Sequence, residues 1–106
     1  MSRREKIEAM LAEDPDDTFL RYSLAMELRS EGKTQQSLSL LDALMADKPP
    51  CVSAFFMAAQ QLVDLDELDL ARDRLRVGID QARAQGDSHA AAEMSDYLAA
   101  LGSSDL

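Results

Sequence analysis

Apolar residues along this chain recur at three- and four-residue spacing, and no stretch sustains the two-residue alternation of a half-buried strand. The spacing predicts helices over about 2–13, 18–31, 35–47, 51–64, 67–85 and 88–101, and with β-branched residues few the fold class is all-α. Segment 67–85 carries a single apolar stripe of Leu68, Ala71, Leu75, Gly78, Ile79 and Ala82, with Arg72, Asp73, Arg76, Asp80 and Arg83 elsewhere. Segments 18–31 and 51–64 differ from it: FLRYSLAMEL and AFFMAAQQLV are apolar nearly all the way round. A helix of that kind is covered on more than one side, or keeps an apolar side open for a ligand.

The breaks between segments have identifiable causes. Pro15 and Pro49 push the residue before them out of helical geometry. Gly32 and Gly86 suit the left-handed position just past a helix end. Asp17, Thr34, Asp66 and Asp87 are each expected to accept hydrogen bonds from the free amides of the following first turn.

A period runs through this pattern. Pro15 and Pro49 are 34 residues apart, each after an acidic helix end (AEDP, ADKP). At the same offset Arg21, Leu24, Ala25 and Leu28 fall onto Phe55, Ala58, Ala59 and Leu62, and Ser37 and Leu41 fall onto Ala71 and Leu75. Helix–turn–helix units with this period resemble the tetratricopeptide repeat. In that family a small residue lets the two helices of a repeat approach closely, and Ala25, Ala59, Ala71 and Ser37 occupy those positions. Gly32 stands at the turn glycine, where the second copy has Asp66. Arg21 replaces a large apolar residue, Leu44 a small one, and Arg83 the closing proline.

The resemblance implies one domain of antiparallel helical hairpins: a half repeat at 1–15, repeats at 18–51 and 52–85, a capping helix at 86–101 and a tail at 102–106. Ile7 and Met10 take packing positions in the half repeat. The family's first helices line a concave surface that receives peptides. Carried over, that surface consists of Phe19, Tyr22, Met26 and Arg29, then Ser53, Phe56, Gln60 and Val63. The 3, 4, 3 spacing independently puts each set on one side of its helix. The Lys and Asn clamp by which chaperone-binding members hold a C-terminal carboxylate is absent, since Tyr22, Met26, Phe56 and Gln60 fill its positions. The expected function is a non-catalytic adaptor for a protein or peptide. The alternative is a self-associating homodimer, because two full repeats fall short of the roughly three such stacks need.

Composition narrows the partners. There are 11 Lys and Arg against 20 Asp and Glu, giving a net charge of −9. Nucleic acids and anionic membranes both call for basic groups, so neither is an expected partner. The lone cysteine, Cys51, makes no internal disulfide, and no apolar run has the length of a signal peptide or membrane span. A reducing cytoplasm is the expected location.

Little in the chain could carry catalysis, and neither an enzymatic activity nor a cofactor is expected. His89 is the single histidine and has no second ligand at metal spacing. The acidic stretch Asp64, Asp66, Glu67, Asp69 lacks the glycine and closing glutamate of a calcium loop. It reads as a helix–helix turn with acidic residues at a helix N-terminus.

Overall fold

A computed structural model describes residues 1–103. Among these residues the backbone forms six helices and no strand: α1 (Arg3–Glu13), α2 (Thr18–Ser30), α3 (Thr34–Met45), α4 (Val52–Asp64), α5 (Leu68–Ala84) and α6 (Ser88–Ser103). Every expected helix is present. The last continues two residues beyond its expected end, and the remainder of the expected tail, 104–106, lies outside the described residues. The chain divides into two compact units, one ending at Cys51 and the other beginning at Val52.

In the first unit α1 packs on α2 and α2 on α3. Ser2 and Glu5 start α1 with a reciprocal cap. The Glu5 amide donates to the Ser2 hydroxyl at 3.1 Å, and the Ser2 amide donates to the Glu5 carboxylate at 3.0 Å. That second bond holds the Glu5 carboxyl below its usual pKa range. Asp17 caps α2 by accepting from the Leu20 amide at 2.8 Å. Ile7, Ala25, Leu28, Leu41 and Leu44 form the buried core. Ala25 and Ser37 meet in the buried contact of α2 with α3, and the Ser37 hydroxyl donates to the Ala25 carbonyl at 2.7 Å. This bond explains how a hydroxyl occupies a position that favours alanine, for a buried donor without an acceptor is costly.

Arg21 stands where the repeat pattern has a large apolar residue. Its guanidinium instead grips Asp47 just beyond α3, with bonds of 2.6 and 3.3 Å. Hydrogen bonding to Asp47 raises the Arg21 pKa further. Arg4 joins α1 to the end of α2 through Glu31, at 3.0 and 3.1 Å.

In the second unit α4 packs on α5 and α5 on α6. Ala58, Ala59, Ala71 and Leu75 are buried in this hairpin, as the register predicts. Gly78 marks a close approach. A Cβ placed on it would lie 2.6 Å from the Phe55 Cβ and 2.7 Å from the Met94 Sδ. Helix α6 buries Ala91 and Met94, so it is a packed element and not simply a solvating cap.

Three turns share one geometry. Gly32, Asp66 and Gly86 all have positive φ, at 76°, 61° and 76°. The next amide in each, of Lys33, Glu67 and Asp87, donates at 2.8 Å to the carbonyl five residues back. This is the six-to-one bond of a Schellman ending. Asp66 therefore serves as the left-handed turn residue, and its expected role as a cap does not hold. Thr34 likewise is already inside α3, whose cap residue, Lys33, makes no side-chain capping bond. Asp87 does cap α6, accepting from the Ala90 amide at 3.1 Å.

Candidate functional site

Of the eight residues expected to face a ligand, four project from α2. At about 100° per residue, positions seven apart nearly coincide while positions three apart diverge by about 60°. The row accordingly separates into two pairs. Phe19 and Met26 are 75% and 46% exposed. Both line a groove of about 340 Å³ between α1 and α2, floored by Ile7, Leu20 and Ser23 and shared with Met10, which is 49% exposed. Arg3, Lys6 and Glu27 rim it, and Arg3 reaches the Glu27 carboxylate at 3.6 Å.

Tyr22 and Arg29 form the second pair and are half-buried. Burial pushes the Tyr22 phenol above its ordinary pKa; nearby Cys51 adds to the rise, and Arg29 opposes it.

The other four residues project from α4. Ser53 is exposed, while Phe56, Gln60 and Val63 are half-buried. The Phe56 ring meets Tyr97 of α6, with centroids 5.3 Å apart and planes tilted by 55°. Such a tilted pair is a favourable aromatic arrangement. Tyr97 is absent from the set read from sequence. Its signal was the single aromatic of α6, and only the packing of α6 beside α4 gives it meaning. Met10 and Leu20 were missed for a similar reason: each lies on a different helix or face from the row, and only the α1–α2 crossing unites them.

The side chains with potential for other chemistry are engaged or dispersed. His89 faces Glu93 one turn away, at 3.2 Å on the exposed side of α6. Asp69 holds Arg72 at 3.0 Å, and Arg72 also donates to the Leu101 carbonyl at 3.4 Å. Asp69 and Arg72 border an open cleft of about 590 Å³ between α5 and α6 with Leu70, Asp73, Arg76 and Leu98. Among the described residues no three His, Cys, Asp or Glu side chains gather as metal ligands. None of the helices is long and apolar enough to cross a membrane, among the same residues.

Comparison with solved structures places this architecture among tetratricopeptide-repeat folds. A tetratricopeptide repeat domain protein from Salinibacter ruber, solved in solution, superposes with a TM-score of 0.78 at 29% identity, over 82% of this chain and 88% of that one. A protein from Bordetella parapertussis superposes with a TM-score of 0.83 at 25% identity, over 99% of this chain and 91% of that one. No family model matches the chain, and no curated protein matches it.

Proposed function

We propose that this tetratricopeptide-like chain is a non-catalytic adaptor that binds a protein partner through the exposed face of α2. The observation that carries the reading is the pair Phe19 and Met26, held open to solvent beside Met10 along an apolar groove. Leaving large apolar side chains together at a surface lowers solubility, and a contiguous patch of them marks an interaction site. Methionine suits such a surface because its unbranched, polarisable side chain adapts to the shape it meets. Folds of this type generally mediate protein–protein interaction, which agrees with a surface built for contact.

Placing a photo-crosslinking benzoylphenylalanine at position 19 tests the reading in the native cell. Protein adducts that disappear when Met26 is changed to Glu are the expected result. A chain that remains free of adducts under irradiation would exclude the α2 face as a binding surface.

A further inference from the structure

The chain carries 6 methionines, and the fold sorts them by solvent access. Met57 and Met94 are 4% and 1% exposed, Met45 is half-buried, and Met1 is exposed at the start of the chain. Met10 and Met26 come from different helices, yet both are open to solvent and line the same groove between α1 and α2. The period supplies an internal comparison. Met26 and Met94 stand two periods apart, or 68 residues, at matching positions of α2 and α6. The Met94 sulfur is enclosed beside Gly78 and Phe55, whereas Met26 is 46% exposed. Residue type and register are the same at the two positions, and solvent access is what differs.

We propose that Met10 and Met26 form a reversible oxidation site that switches the α1/α2 groove from apolar to polar; this rests on the reading of α2 as a binding face. The oxidant is a peroxide. A sulfur lone pair attacks one peroxide oxygen, and an S–O bond forms as the O–O bond breaks. The departing oxygen takes up the proton of the transferred one and leaves as water. The sulfur gives up two electrons to the peroxide and becomes a sulfoxide. Attack requires an accessible sulfur, which selects Met10 and Met26 over Met57 and Met94. A sulfoxide is polar and accepts hydrogen bonds, so an apolar partner surface closing over it strips its water without compensation. The side chains that adapt to a partner when reduced therefore oppose it when oxidised. Because both stand at the surface, their oxidation leaves the buried core intact, and a methionine sulfoxide reductase can reach them.

Mass spectrometry of the purified full chain after timed exposure to hydrogen peroxide measures the first part. Met10 and Met26 should oxidise about tenfold or more faster than Met94, while circular dichroism stays that of the native helices. Benzoylphenylalanine at position 19 measures the second. The oxidised chain, freed of peroxide and irradiated in dialysed native lysate, should give about tenfold fewer adducts, as the loss of a central anchor does. Treatment with methionine sulfoxide reductase and dithiothreitol before irradiation should restore them. In a Met10→Leu/Met26→Leu chain, which nearly conserves side-chain volume, peroxide should leave the adduct yield at whatever level it started. Cys51 is present in both chains, so its oxidation cannot produce the difference between them. Equal oxidation of Met94 and Met26, or a loss of helicity on oxidation, would overturn the proposal. So would an undiminished adduct yield from the oxidised chain, and in that case the binding face stands. Absence of adducts before any peroxide is added rejects the binding face and the switch together.

Discussion

At the level of single residues, the left-handed turns show what a sequence discloses and what it withholds. Gly32 and Gly86 are legible as helix-ending glycines, since few other residues take positive φ without strain. Asp66 is not, because aspartate also ranks among the best helix caps, and its chemistry alone does not choose between the two roles. The period resolves the choice: Asp66 stands 34 residues after Gly32 and reproduces its bonds. Replacing Asp66 with Gly should relieve about 1 kcal/mol of left-handed strain and return about half of that through greater freedom of the unfolded chain. A net gain of about 0.5 kcal/mol is expected in urea unfolding, and a loss of stability would show that the carboxylate does more than tolerate the turn. Tyr22 permits a prediction on pH. Burial raises its folded pKa above the ordinary value of 10.0, so stability is whole below that pH and declines as the pH rises through the folded value. Tyr22→Phe should remove this part of the alkaline loss, and melting curves taken on both sides of pH 10 would detect it.

Helices were the most legible elements, because each apolar stripe, proline and cap acts within a few residues and needs no knowledge of the rest of the chain. Packing between them was legible only where the period fixed it. The Ala25–Ser37 contact followed from the register, although the hydroxyl-to-carbonyl bond that makes serine acceptable did not. The candidate row on α2 divides in the fold into two pairs, because three-residue steps rotate away from seven-residue ones. The burial of Ala91 and Met94 was obscured by the small and polar residues around them in α6. Gly78 states the general case, for its role is to admit Phe55 and Met94, and neither neighbour is near it in sequence. Gly78→Ala improves intrinsic helix propensity by about 1 kcal/mol. Against this, a methyl 2.6 Å from the Phe55 Cβ must displace a side chain at its root, and overpacking of this kind costs roughly 1–3 kcal/mol. Net destabilisation is expected, by at most about 2 kcal/mol once the propensity gain is subtracted. The exposed Ala92→Leu provides a control that should change the midpoint little. A more stable Gly78→Ala chain would mean that α5 can shift away from α4 and α6 at no cost.

On the scale of the whole molecule the dominant quantity is charge. The net −9 arises from 20 acidic and 11 basic residues in 106. Such an excess repels itself in the compact state more than in the expanded one, and screening relieves the repulsion. Attractive pairs oppose this trend. Arg21 with Asp47 and Arg4 with Glu31 are partly shielded from solvent, whereas Arg3 with Glu27 has an exposed member. Exposed pairs contribute little, with typical values of about 0–1 kcal/mol, and salt weakens them as well. The shielded pairs keep most of their strength because their bonds are short and directional, so the long-range repulsion is the component that salt chiefly removes. The melting temperature at pH 7 should therefore rise as sodium chloride is added from low ionic strength. Near the isoelectric point of about 4.4 the net repulsion vanishes, and there added salt should produce no rise. Acidification also works against α1, because Glu5 has a depressed pKa and its cap is lost as the pH falls through the folded value. The two effects separate in a Glu5→Gln chain, which should keep the salt response at pH 7 and lose only the acid sensitivity of α1. If salt instead lowered the melting temperature at pH 7, the screened ion pairs would outweigh the net charge, and Arg3→Met, which removes the exposed partner of Glu27, would then show a smaller lowering than the native chain.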